Sequence, residues 1–325
     1  MTSDARGWRA GAGAAVAVVA GDPGSWALGL LGFLARGGWL VLALPILSIP
    51  SPVLLSLLFR GEVGAIGRGE LRLFAIGVGA TLSLVAIGGV LVSAYADTAL
   101  AERFVRDQET EELRRGRAPR PVTGPERRSL VWWVASIQAV ALLPLILAIT
   151  FVIDRAVRTA TSELIDPSSG SLPLVGRVVP GIAGPIALLV LVMVVAEVLS
   201  SLASRRLLAN AWDLLPGGQV EARDSRVALG ALARVVRSPL RVMATAIAGW
   251  LAIGLTLVVA VVASVLAWAG ARDVLVMGRV GADPVALGVS ALLVVVFTGV
   301  WVGGLGLVGF ASAVRSGLWT ADALR

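Results

Sequence analysis

Residues 180 to 203 read PGIAGPIALLVLVMVVAEVLSSLA, from Pro180 to Ala203, with a single ionisable side chain, Glu197. A helix rises about 1.5 Å per residue, so about 20 such residues cross a hydrocarbon core of roughly 30 Å. This stretch meets that length, and it decides the fold class. Four further runs meet it too: Leu73 to Tyr95, Val131 to Ile153, Val242 to Gly270 and Val285 to Phe310, none of which contains a charge. An earlier apolar block, Ser25 to Phe59, is interrupted by Arg36-Gly37-Gly38 and carries Pro45, Pro50 and Pro52. Trp39 to Phe59 is read as its span, with Trp26 to Ala35 as a lead-in at or dipping into the interface. Proline is tolerated in a spanning helix when neighbours satisfy the freed carbonyls.

The expected architecture is all-α: a polytopic membrane bundle of six transmembrane helices, spans about 39–59, 73–95, 131–153, 180–203, 242–270 and 285–310. They form three hairpins within one membrane domain, residues 1–325. Composition agrees. The chain is 57% hydrophobic and 15% charged, against roughly 45 to 50% and about 25% in soluble domains. Short connections rich in basic residues stay cytoplasmic. The N-terminal tail holds two arginines, the connection 96–130 eight, 204–241 seven and the C-terminal tail two; the alternate connections 60–72, 154–179 and 271–284 hold three, three and two. Loops 96–130 and 204–241 and both termini are thus expected in the cytoplasm, in a plasma membrane.

The start admits a rival reading as a signal peptide, with Arg6 and Arg9 before Ala10 to Ala20 and a Val18-Val19-Ala20 triplet. Its apolar part contains no Leu, which makes a weak signal core.

All 28 basic residues are arginine, and there is no Lys, His or Cys. That excludes disulfides, the usual zinc sites, an imidazole base, a thiolate nucleophile, a phosphate-binding lysine loop and any Schiff base. No nucleophile elbow, paired glycosidase acids or metal-binding acid motif stands in the chain. No enzyme activity and no cofactor are expected. Arginine in place of lysine, with abundant Ala, Gly and Val, matches the codon bias of a high-GC bacterial genome.

Glu197 is the one ionisable group well inside a confident span, and an intramembrane acid is a functional candidate by default. It either pairs with an arginine, Arg36 being a candidate in the same leaflet, or serves a transport role. Asp97 is expected at the interface. Gln138 and Thr150 in the third span, with Thr81 and Ser83 in the second, are expected to hydrogen-bond between helices. Gly299 and Gly303 form a GxxxG, extended by Gly304, Gly306 and Gly309, and mark a face for close helix contact within the bundle or between subunits. Trp39, Trp132, Trp133 and Trp319 read as interface anchors.

Three patterns organise the connections. Ser225 to Arg237 is an amphipathic helix with Arg226, Arg234 and Arg237 on one arc and Leu229, Leu232, Val235 and Val236 opposite. Its arginines are expected to face anionic headgroups while it lies in the membrane plane; packing on the span ends is the alternative. Residues 97 to 117 continue the second span as a charged helix, and the acids mixed among its arginines argue against nucleic acid as a partner. Finally, Ala96-Asp97 and Ala196-Glu197 end spans one hundred residues apart, and Val18-Val19-Ala20-Gly21-Asp22-Pro23 parallels Val235-Val236-Arg237-Ser238-Pro239, as if each hairpin had an interfacial lead-in helix.

In layout, and in the phrase Gly32-Phe33-Leu34-Ala35-Arg36-Gly37-Gly38 followed by Pro45, the chain resembles uncharacterised six-span membrane proteins of high-GC bacteria. That resemblance implies no reaction. Two functions remain: a membrane scaffold or accessory subunit that holds a protein partner or a second copy of itself, or a permease for an apolar or lipid-like solute using Glu197 and Arg36.

Overall fold

The computed structural model describes residues 2–39, 41, 68–113, 123–166, 168, 174–212, 226–281 and 284–324. Every regular element among them is a helix: α1 Thr2–Gly21, α2 Pro23–Phe33, a π-helical turn Leu34–Gly38, α3 Arg68–Leu113, α4 Gly124–Ile165, α5 Leu174–Ala211, α6 Arg226–Arg237, α7 Pro239–Gly281 and α8 Pro284–Ala323. Five are long and apolar enough to cross a membrane, with spans in Ser83–Arg106, Gly124–Glu163, Gly176–Ala211, Pro239–Ala271 and Ala291–Ala323. The chain is therefore a helical multi-pass membrane protein. The expected first span, 39–59, lies outside the described residues beyond its first positions. The pair α1–α2, bent by 102° at Asp22, would supply a sixth span if counted as one.

The long helices run from 38 to 46 residues. At 1.5 Å per residue that is about 57 to 69 Å, roughly twice the hydrocarbon thickness. The connections 96–130, 154–179 and 204–241 are in good part helix: α3 runs on to Leu113, as the charged extension expected there, α4 to Ile165 and α5 to Ala211. Helix starts follow local chemistry. Pro23, Pro239 and Pro284 occupy first helical positions and Pro125 the second of α4, where the missing N–H has no intrahelical acceptor. Glu126 accepts from the Thr123 N–H at 3.0 Å, half of a capping box.

The chain divides into two compact units. The first comprises residues 1–119 and 243–323. Its core lies towards one end of the helices, where Ala15 and Val19 of α1 meet Leu100 and Phe104 of α3 and Ala313, Val314 and Leu318 of α8. The leucine-free α1, which the sequence also allows to be a signal segment, is part of that core. Small side chains permit the approach: a Cβ on Gly317 would lie 3.0 Å from that of Ala15. Trp8 donates from its indole to the Thr245 hydroxyl at 3.0 Å. Trp26 and Phe310 pack edge to face with centroids 5.3 Å apart. Trp319, expected at an interface, is instead only 2% exposed, because the small-residue run of α8 continues through Ser316 and Gly317. Away from this core, Leu84, Val85 and Ile87 of α3, Leu255, Val258 and Val262 of α7, and Val295 and Val302 of α8 are exposed. Lipid covers such surface without penalty, being as apolar as the side chains.

The second unit comprises residues 120–242. α4 and α5 pair along their length, and α6 packs on α5. Apart from Ala148, the buried hydrophobic residues of α4 and α5 again lie towards one end, among them Leu130, Val134 and Ala135 of α4 and Leu202, Leu207 and Leu208 of α5. The middle of the hairpin exposes Leu143, Ile146, Leu147 and Leu191. Pro144, Pro180 and Pro185 sit inside these helices without ending them. Trp132 is 63% exposed, and Trp133 is exposed beside it.

Candidate functional site

Within the first unit α2 runs antiparallel to α3, and the register is fixed at four points. Arg103 pairs with Asp22. A Cβ on Gly32 would touch that of Ala96 at 3.5 Å. Arg36 reaches Ser93 and Asp97. Gly89 lies against the Ala35 carbonyl so closely that a side chain there would collide with it. The lead-in therefore lies alongside α3 over this stretch. Gly37 takes a φ of 91°, a left-handed conformation that glycine adopts at little cost, and this closes the turn that carries Arg36.

Arg36 donates from Nε to the Ser93 hydroxyl at 2.8 Å and from Nη2 to the Asp97 carboxylate. Asp97 is only 9% exposed, so it is enclosed by protein at the end of its apolar run. Arg315 of α8 is half-buried, attracted by Asp97 and repelled by Arg36. Its stem lies over Gly249 of α7, where a Cβ would stand 3.0 Å from the Arg315 Cγ. The Arg36–Asp97 pair thus lies near the ends of the apolar runs, with Arg315 within its electrostatic reach. Arg36 is three residues before Trp39, Asp97 two after Tyr95 and Arg315 five after Phe310.

A second polar layer lies farther along α3. Asp22 caps α2, accepting from the Gly24 N–H at 2.9 Å and the Ser25 hydroxyl at 2.7 Å, and pairs with Arg103. The Ser25 hydroxyl first, then Arg103 and the Gly24 amide, hold the Asp22 carboxyl below the usual carboxylate value against the opposing effect of burial. Asp22→Ala is expected to cost about 1 kcal/mol, the usual worth of an N-cap, and to be seen as a small fall in the thermal unfolding midpoint. Beside this layer an open groove of about 770 Å³ is lined by Ala14, Ala17, Val18, Arg103 and Arg106 among others.

Each of the other expected site residues belongs to one of the two units. Glu197, in the second unit, is half-buried and accepts from the Ser201 hydroxyl one turn on, at 2.9 Å. Arg36, its suggested counter-ion, spends its bonds on Asp97 and Ser93. Gln138 is half-buried on α4. Thr81 and Thr150, suggested as links between helices, bond to the carbonyls of Gly77 and Ile146 in their own helices, at 2.8 and 2.9 Å. Gly299 and Gly303 are exposed, with nothing within 4 Å of where a Cβ would stand. The contact of α8 with α7 uses the neighbouring Gly304, whose Cβ would lie 2.9 Å from that of Ala260. On α6, Ala231 is buried, Arg206 of α5 donates to the Gly230 carbonyl, Arg234 is half-buried and Arg237 exposed. Leu232 is exposed and Val236 80% exposed, so the apolar edge of α6 faces away from α5.

Sequence reading misses the partnership of Asp97 with Arg36 and the nearness of Arg315 to both. The available signal is the small-residue run on both sides of Arg315, which no exposed tail requires. Among the described residues no group of three His, Cys, Asp or Glu side chains is placed to hold a metal. Comparison with protein-family models, with curated proteins and with solved structures finds no match.

Proposed function

We propose that the chain is a non-enzymatic scaffold or accessory subunit of a bacterial plasma membrane, with both termini and the arginine-rich helix ends in the cytoplasm. The observation that carries this reading is the closure of Arg36 on Asp97 and Ser93. The polar groups Arg36, Ser93 and Asp97 are used to join the turn after α2 to α3, and Glu197 accepts from Ser201 of its own helix. Burial towards one end of each unit supports the same view, since it makes a firm platform out of the helix extensions. The exposed Leu232 and Val236 of α6, with Arg237 beside them, suit a helix lying in the inner leaflet, its arginines towards anionic headgroups. The platform would hold a protein partner or a second copy of the chain.

The absence of native cysteine provides the test. Glu197→Cys in native membranes is expected to resist a membrane-impermeant maleimide, while Arg237→Cys reacts. Brisk labelling of Glu197→Cys would show a water-filled route to that position and favour the permease reading.

A further inference from the structure

We infer that the groove between α1 and α3 takes the headgroup of a phospholipid that carries a primary ammonium, its phosphate on Arg103 and Arg106 and its ammonium on Asp22. The first reason is what the groove offers. It measures about 770 Å³, within the range of small-molecule sites. Arg103 and Arg106 stand one turn apart on α3 and are exposed, and Asp22 stands at the bend between α1 and α2. Among the described residues Arg103 gives one N–H to Asp22 and Arg106 one to Glu102. A guanidinium has five N–H groups, so four remain on each, enough for a bidentate grip on a phosphate.

The second reason is the pairing of signs. Each arginine stands beside a carboxylate, Arg103 by Asp22 and Arg106 by Glu102, so the groove does not call for a bare anion. Among the described residues the Asp22 Oδ1 accepts only from the Gly24 N–H. A carboxylate oxygen has about two acceptor positions, which leaves one for a further N–H donor. Donors and an acceptor side by side match a headgroup that carries phosphate and ammonium in one molecule.

The third reason is the place. Ser83–Arg106 is the part of α3 apolar enough to cross a membrane, so the groove lies at its end, where headgroups begin. Side chains on a helix lean towards its N-terminus, which turns Arg103 and Arg106 back towards the apolar run that ends at Tyr95. The opposite wall is Ala14, Ala17 and Val18 of α1, with Val16 exposed nearby. Small apolar groups leave room for a glycerol and the start of its acyl chains, and a soluble zwitterion would have no use for them. The site rests on the membrane reading of the helices and not on the scaffold reading.

The test uses the full chain in phosphatidylcholine nanodiscs titrated with phosphatidylethanolamine or phosphatidylglycerol, following thermal unfolding and lipid retained in native mass spectra. Phosphatidylethanolamine is expected to stabilise wild type most, because the methylated ammonium of phosphatidylcholine has no N–H to give Asp22 and phosphatidylglycerol has no cation. Arg106→Gln leaves the Asp22–Arg103 pair in place and is expected to weaken retention several-fold. Asp22→Asn keeps an oxygen for the Gly24 amide and is expected to bring phosphatidylethanolamine down to the level of phosphatidylcholine. Arg237→Gln of α6 serves as the control for non-specific attraction and is expected to change neither. Equal retention of the three lipids by wild type, or retention of phosphatidylethanolamine by Arg106→Gln equal to that of wild type, would overturn the site. A preference for phosphatidylglycerol would overturn the zwitterion in favour of an anion. Stabilisation by millimolar phosphoethanolamine in pure phosphatidylcholine, equal to that by the lipid, would overturn the lipid assignment in favour of a soluble molecule.

Discussion

Gly29→Val is expected to leave almost no folded protein, whereas Gly303→Val, on the same chain and of the same chemistry, is expected to be nearly silent. The difference lies in what a new side chain meets. At Gly29 a Cβ would strike the Gly309 carbonyl and stand 2.7 Å from the Ala313 nitrogen; at Gly309 one would stand 2.6 Å from the Trp26 carbonyl. The two glycines thus let the backbones of α2 and α8 touch, and backbone cannot step aside as a flexible side chain can. Overpacking costs about 1 to 3 kcal/mol where neighbours can relax; here the cost should be at or above the top of that range. At Gly303 nothing stands within 4 Å, and an open surface change is worth about 0.5 kcal/mol or less. Fluorescence-detected size exclusion and thermal unfolding in detergent would measure both. Equal yields and midpoints for the two variants would show that α2 does not pack on α8 through these glycines.

Asp97→Ala carries the second largest expected loss. Removing one member of a buried ion pair costs about 3 to 5 kcal/mol because the other charge is left stranded. Arg36 retains 37% exposure, so water recovers part of this and about 2 to 3 kcal/mol is expected. The loss arises because Arg36 loses its charged acceptor. Arg36→Gln added to Asp97→Asn should restore much of the stability, since the amides can bond to each other. A double-mutant cycle on the unfolding midpoint should give a coupling of about 1 to 3 kcal/mol. Strict additivity would mean that the two side chains do not act as a pair.

These two contacts also mark the limit of sequence reading. The apolar runs at 73–95, 131–153, 180–203, 242–270 and 285–310 are legible because membrane crossing depends on local composition and length. So is the extension of α3 beyond Tyr95, where glutamates precede arginines at helical spacing, and so is the break at Ser238-Pro239, where α6 gives way to α7. The partner of Arg36 is not legible. Asp97 lies 61 positions away, and only the register of α2 on α3, set by Gly32 and Gly89, brings them together. The GxxxG spacing correctly marks α8 as a helix with little bulk. It cannot say which side of that helix meets a neighbour: within the chain the contact falls on Gly304 and Gly309, while Gly299 and Gly303 stay open on the other side. α1 follows the same logic: Ala, Gly and Val make a poor signal core but a good partner for Gly317 of α8, where close approach matters more than hydrophobic bulk.

The central claim is that the helices cross a bilayer with their arginine-rich, well-packed ends on the cytoplasmic side. Reporter fusions after Leu113, Ile165, Trp212 and Gly281 test it most directly, with a reporter active only in the cytoplasm and another active only beyond the membrane. Cytoplasmic activity is expected after Leu113 and Trp212, and the opposite after Ile165 and Gly281. Finding Leu113 or Trp212 on the far side, or all four on the same side, would contradict the account.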